Sequence, residues 1–155
     1  MSDKQRILIA DDSEMNRAIL TEMLGEKYEI LEAENGQQAI EMIEQNSDID
    51  LLLLDIMMPV KDGFDVLAAM NQYHWIDELP VIMISAESAT SFVERAYDLG
   101  ATDYISRPFD MAVVRRRVVN ALMLYGKQKR LMQLVADQIY ENEKSNSLMI
   151  TILSH

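Results

Sequence analysis

The chain has 155 residues, 49% hydrophobic and 26% charged, with a formal net charge of −12 and no cysteine. That length suits one domain plus an appendage, and the missing thiols exclude disulfides, thiolate catalysis and cysteine-based zinc sites. No apolar run is long enough to cross a bilayer and the N-terminus is too polar for a signal peptide, so a cytoplasmic protein without membrane contact is expected. The charge is unevenly spread, with −16 on residues 1–110 and +4 on residues 111–155. An acidic body argues against direct nucleic-acid binding and suits a site that holds a cation.

The run Arg6-Ile7-Leu8-Ile9-Ala10 predicts a first strand, and it ends on Asp11 and Asp12. Ser13 can cap the helix that follows, in which Met15, Ile19, Leu20, Met23 and Leu24 keep helical spacing as far as Gly25. Tyr28 to Ala33 alternates apolar residues with glutamates, as an edge strand with one wet face does. Asn35-Gly36 turns into a second helix with Ala39, Ile40, Met42 and Ile43 inward. The unbroken Leu51-Leu52-Leu53-Leu54 then ends on Asp55 and reads as a central strand covered on both faces. Pro59 and the Lys61-Asp62-Gly63 turn stop it, and a third helix carries Phe64, Leu67, Ala68 and Met70. Pro80 to Ser85 is another fully apolar strand, and a polar helix spans Ser91 to Leu99. Ala101 to Arg107 gives the last strand, with Pro108 placed to start a final helix. Five strand–helix alternations predict an α/β fold, a doubly wound five-stranded parallel sheet.

Asp11, Asp12, Asp55, Ser85 and Arg107 all fall at or just past strand ends, where such sheets form their ligand crevice. Three crowded carboxylates repel and raise their own pKa values unless a cation joins them. Mg²⁺, a hard, oxygen-seeking ion, suits that cluster. A hydroxyl and a guanidinium at the same point add donors for the oxygens of a phosphoryl group.

These elements closely resemble the response-regulator receiver family, which has the flavodoxin-like, CheY-like fold. The match covers about residues 5–125 and rests on spacing as well as residue type. An Asp-Asp pair follows the first strand, and Asp55 stands in D-I-M-M-P-x-x-D-G. Ser85-Ala86 comes 30 positions after Asp55, and the Arg107-Pro108-Phe109 corner 52 positions after it. The resemblance implies that Asp55 accepts a phosphoryl group from a sensor histidine kinase, a phosphotransfer protein or a small phosphodonor. It implies Mg²⁺ held by Asp12, Asp55 and the Met57 carbonyl with help from Asp11. It makes Ser85 and Arg107 phosphoryl ligands, and Ser85 with Tyr104 the switch. Such a protein is a switch, not an enzyme acting on external substrates.

Two positions depart from the family pattern: Arg107 stands where lysine is usual, and Met57 is bulky and apolar. Arg107 leaves open a phosphorylation-independent dimerisation module as the alternative function. A haloacid-dehalogenase-like phosphatase would want an aspartate two residues after the nucleophile, where Met57 stands. Neither a P-loop nor a G-x-G-x-x-G motif is present.

The apolar pattern continues beyond the receiver, so the chain divides into a receiver over 1–125 and a helical connector over 126–155. Met111, Val118, Tyr125, Met132, Ile139, Asn146 and Leu153 recur every seventh residue, with Val114, Ala121, Val135 and Met149 at companion positions. A continuous helix from Asp110 to Leu153 is about 66 Å long at roughly 1.5 Å per residue, and a parallel homodimeric coiled coil would bury its stripe. Gly126 is a weak point in that helix, costing about 1 kcal/mol against alanine. Arg115-Arg116-Arg117 reads as a solvated face, or as partner to Glu94, Asp98 and Asp103 of a second receiver. The tail resembles connectors that precede output domains, particularly HD-GYP-type cyclic-dinucleotide phosphodiesterases, so an output domain is expected in a longer chain.

Overall fold

The computed structural model describes residues 4–86 and 90–153, with side chains throughout except at Lys129 and residues 145–153. The chain runs β1 (Arg6–Ala10), α1 (Glu14–Leu24), β2 (Glu29–Ala33), α2 (Gly36–Gln45), β3 (Leu51–Asp55) and α3 (Gly63–Gln72). A single 3₁₀ turn (Trp75–Asp77) leads to β4 (Val81–Ala86), α4 (Thr90–Asp98), β5 (Asp103–Arg107) and α5 (Met111–Leu153). The strands pair in parallel in the order β2-β1-β3-β4-β5. This is the doubly wound sheet the sequence predicts, with β2 at one edge and β3 in the middle.

The leucine run works because successive side chains of a strand point to opposite faces. Leu52 and Leu54 join Leu8 and Met83 under α2 and α3, against Ile40, Val66, Leu67 and Met70. Leu51 and Leu53 join Ile7, Ile9, Ile82 and Ile84 on the other face, against Leu20, Leu24, Val114 and Val118 of α1 and α5. All four leucines are fully buried, and each such burial contributes roughly 1.5–3 kcal/mol. From β1 the chain first moves outward to β2 and then returns across to β3, so a crevice opens beyond the ends of β1 and β3.

Helix starts follow the capping residues. The Ser13 hydroxyl accepts from Asn16 N–H at 3.2 Å, Asn35 Oδ1 accepts from Gln38 N–H at 2.9 Å, and Asp62 and Asp65 form a reciprocal capping box. The start of α5 differs from expectation. Pro108 follows Arg107 through a cis peptide bond and belongs to the turn, while Asp110 caps the helix by accepting from Val113 N–H at 3.1 Å. After α3, Trp75 opens the 3₁₀ turn and packs partly buried beside Tyr73.

A compact unit ends at Leu122, and a second unit begins at Met123. Val114, Val118 and Ala121 are buried in the first unit, so the seven-residue stripe is not free for a partner there. In the second unit Leu131, Met132, Leu134, Val135, Ile139 and Tyr140 are exposed. The positions at Asn146, Met149 and Leu153 lie outside the described side chains. Among the described residues no helix is long and apolar enough to cross a membrane.

The start of α3 approaches the end of β3 closely. A Cβ on Gly63 would lie 2.5 Å from the Asp55 carbonyl oxygen and 2.9 Å from Ile56 Cα, and backbone cannot swing aside as a flexible side chain can. Gly63→Ala is therefore expected to destabilise the fold by about 1–3 kcal/mol. Urea denaturation would measure this.

Candidate functional site

The ends of β1, β3, β4 and β5 bring five side chains to the crevice. Asp11 is 0% exposed, Asp55 1% and Ser85 2%, whereas Asp12 faces solvent. One carboxylate oxygen from each of Asp11, Asp12 and Asp55 lies within 4.8 Å of the others. Arg107 reaches in from β5, with Nη2 at 3.4 Å from Asp55 Oδ1 and Nη1 at 3.9 Å from Asp11 Oδ2.

Asp11 is heavily constrained. Its N–H donates to Ala33 O at 3.1 Å, its carbonyl accepts from Arg17 Nη1 at 2.7 Å, and its Oδ1 accepts from Ser13 N–H at 2.8 Å. Its Oδ2 is buried without a hydrogen-bond partner. A buried anionic oxygen left in that condition is costly. An oxygen-seeking divalent cation shared with Asp12 and Asp55 would satisfy it, so the donor set fits Mg²⁺.

Asp55 Oδ1 also accepts from Met57 N–H at 3.3 Å. Burial, reinforced by the negative charge of Asp11, pushes the Asp55 carboxyl up to about 7, against the opposing pull of Arg107 and the Met57 N–H. A cavity of about 90 Å³ adjoins it, lined by Asp55, Met57, Ser85, Ala86, Phe92 and Arg107. A larger groove of about 450 Å³, lined by Met23, Tyr28 and Arg115 among others, lies at the other end of the strands, away from the aspartates.

The structure thus gathers Asp11, Asp12, Asp55, Ser85 and Arg107, with Met57 beside them. Tyr104 is placed differently. It is half-buried, 6.4 Å edge-on from Tyr97 of α4, with the Arg117 guanidinium 4.7 Å over its ring, and it does not line the cavity. Arg117 also donates to the Tyr104 carbonyl and lies 3.9 Å from Asp103. The expected solvated arginine face is therefore partly engaged within the chain, and Asp103 already has an intramolecular partner. Arg115 donates to the Met23 carbonyl at 3.2 Å.

Sequence reasoning missed Arg17 and Phe92. Arg17 carried a signal: it stands at i, i+3, i+7 spacing with Leu20 and Leu24, on the buried face of α1. Phe92 gave none, since one aromatic on a polar helix looks like ordinary packing.

A carboxyl whose folded-state pKa is raised subtracts stability as pH climbs from its ordinary value of 3.8 to about 7. Asp55→Asn is therefore expected to stabilise the metal-free protein at pH 8 by on the order of 2 kcal/mol, and to change little at pH 4. Denaturation in EDTA at the two pH values would measure the difference.

The response regulator receiver domain family model matches residues 7–119. The chain is 37% identical over 120 residues to response regulator RR06 of Streptococcus pneumoniae, covering 77% of this chain and 54% of that protein. It is 35% identical over 112 residues to a Vibrio cholerae protein named "Probable cyclic di-GMP phosphodiesterase", covering 72% of this chain and 25% of that one. The chain thus spans about half the length, or less, of these relatives. Among solved structures, NtrX from Brucella abortus superposes with a TM-score of 0.78 at 27% identity, over 84% of this chain and 29% of that one. Fold, strand-end acids and sequence similarity agree: the chain belongs to the response regulator receiver domain family.

Proposed function

We propose that the chain is a phosphoacceptor switch in which Asp55 takes a phosphoryl group from a histidine kinase, a phosphotransfer protein or a small phosphodonor. The convergence of Asp11, Asp12 and Asp55 on one point beside Ser85 and Arg107 carries this reading. An Asp55 oxygen attacks phosphorus, the bond from phosphorus to the donor's histidine nitrogen breaks, and that nitrogen keeps the electron pair. Because burial and Asp11 raise the Asp55 pKa to about 7, the nucleophile needs positive charge nearby to be fully ionised. Arg107 supplies part of it.

Asp12, Asp55 and the Met57 carbonyl, with Asp11, are the groups that would hold Mg²⁺. When bound, that ion offsets negative charge on the acids and on the transferring group. The Ser85 hydroxyl and the Arg107 guanidinium donate to the phosphoryl oxygens. The added charge, about −2, draws Ser85 inward, and Tyr104 changes its packing between Tyr97 and Arg117 in response. Met57, at the cavity's edge, screens the acyl phosphate from water.

The signal passes along the connector over 126–155 to an output domain. The exposed stripe of Met132, Val135 and Ile139 supports pairing of two connectors in a homodimer. The name of the Vibrio cholerae relative supports a cyclic-dinucleotide phosphodiesterase as the output class. One observation favours a second reading. Arg107 already reaches both Asp55 and Asp11, which suits a phosphorylation-independent dimerisation module whose acids are neutralised by the guanidinium.

Incubation with acetyl phosphate or phosphoramidate and Mg²⁺ is expected to add one phosphoryl group to the wild type and none to Asp55→Ala, read by intact-mass spectrometry. Label retained in the variant would remove Asp55 from its role, and an unlabelled wild type would favour the second reading. Deleting residues 126–155 is expected to convert a dimer to a monomer in light scattering, and an unchanged mass would end the connector-pairing reading.

A further inference from the structure

Four polar or charged residues are buried among the described residues: Asp11, Asp55, Ser85 and Arg17. The first three form the candidate site. Arg17 is a cation on the apolar face of α1, with its side chain only 9% exposed, and the proposed chemistry gives it no part. Burying a guanidinium costs free energy unless it is well paired, so its contacts show what it holds. Nη1 donates to the Asp11 carbonyl at 2.7 Å, Nε donates to Glu32 Oε1 at 3.1 Å, and Nη2 lies 4.0 Å from Glu34 Oε1. The two glutamates are 47% and 69% exposed at the side chain, so both stay well hydrated. The buried end of the network is the Asp11 carbonyl.

That carbonyl belongs to the peptide joining Asp11 to Asp12, the two acids of the cluster that β1 delivers. With the Asp11 N–H on Ala33 and Oδ1 on Ser13, the Arg17 bond fixes the last free end of this residue. Oδ2 is then the one Asp11 oxygen without a hydrogen bond, with Arg107 Nη1 3.9 Å away as its ionic neighbour. We infer that Arg17 is a positioning residue for the cation site, clamping the Asp11–Asp12 peptide so that both carboxylates are preset toward one ion. The inference rests on the cation-site reading above. A planar fork reaching three acceptors does this, and a lysine, a compact point charge, does not.

Arg6 supplies an internal control. It sits at the opposite end of β1 and also pairs with a glutamate of β2, at 3.1 Å from Glu29, and with Asp48 at 2.7 Å, far from the cluster. Arg17→Met keeps the apolar stem while removing the fork, and Arg6→Met removes the matched pair. Binding of Mg²⁺ to the full chain would be measured by isothermal titration calorimetry at a temperature where all variants are folded. The chemical shifts of the Asp11 and Asp12 amides would be followed alongside.

Arg17→Met is expected to weaken Mg²⁺ binding at least tenfold, as losses of outer-shell partners do, and to shift both amides before metal is added. Arg17→Lys is expected to recover only a minor part, and Arg6→Met to bind as the wild type does even where its Tm falls. Unchanged affinity in Arg17→Met, or an equal loss in Arg6→Met, overturns the positioning role while leaving the cation site standing. A wild type that binds no Mg²⁺ overturns the cation site and this inference together.

Discussion

Three carboxylates are held with oxygens within 4.8 Å of one another, two of them buried, and the remainder of the site is an answer to that repulsion. Arg107 stands 3.4 Å from Asp55 and 3.9 Å from Asp11, and the Met57 N–H points at Asp55. These contacts do not cancel the burial and the like charge, which leave the Asp55 carboxyl at about 7. The polypeptide thus maintains an electrostatic deficit that a divalent cation or added positive charge relieves. A site in this condition responds to ligands, because whatever neutralises it also stabilises the fold.

Such crowding is tolerable only on a rigid support. β3 gives that support by burying alternate leucines in two separate layers, so the strand that ends on Asp55 is gripped from both sides. The close approach of Gly63 to the Asp55 carbonyl locks the strand's exit. Val60, in the loop between, takes a left-handed φ of 68°, a conformation a β-branched residue adopts only when its surroundings impose it. Local strain and crowded charge thus sit side by side at the end of the central strand.

α5 serves two environments in turn. Up to Leu122, Val114, Val118, Ala121 and Leu122 complete the layer beneath α1, whereas Met123, Leu124, Leu131, Met132, Leu134, Val135, Ile139 and Tyr140 are exposed. Between α4 and α5, Tyr104 is held by Tyr97 and Arg117 and does not line the cavity beside Asp55. Ser85 and Tyr104 thus sit in separate surroundings, Ser85 at the cavity beside Asp55 and Tyr104 against Tyr97 and Arg117.

Much of this was legible in the residues. Leu51 to Leu54 announced a strand buried on both faces, because no amphipathic element carries four apolar residues in a row. Ser13, Asn35 and Asp62 marked helix starts through their side-chain chemistry. The strand-end positions of Asp11, Asp55, Ser85 and Arg107 followed from parallel topology, which sends all strand ends to one side. What depended on distance in space was not legible. Pro108 looked like a helix start until Asp110 took the cap, since both residues suit that place and only the path of the turn decides. Val114, Val118 and Ala121 shared one periodic stripe with Val135 and Ile139, and a period cannot say whether a stripe meets a sheet or solvent. Arg17 could be seen to lie on a buried face, but that its fork closes on the Asp11 carbonyl depends on how α1 folds back over β1 and β2. Sequence determined the strands, the helices and the acids at their ends, because those follow from local chemistry and periodicity. Tertiary structure alone decided which charges neutralise which, because that depends on ångström distances between segments far apart in the chain.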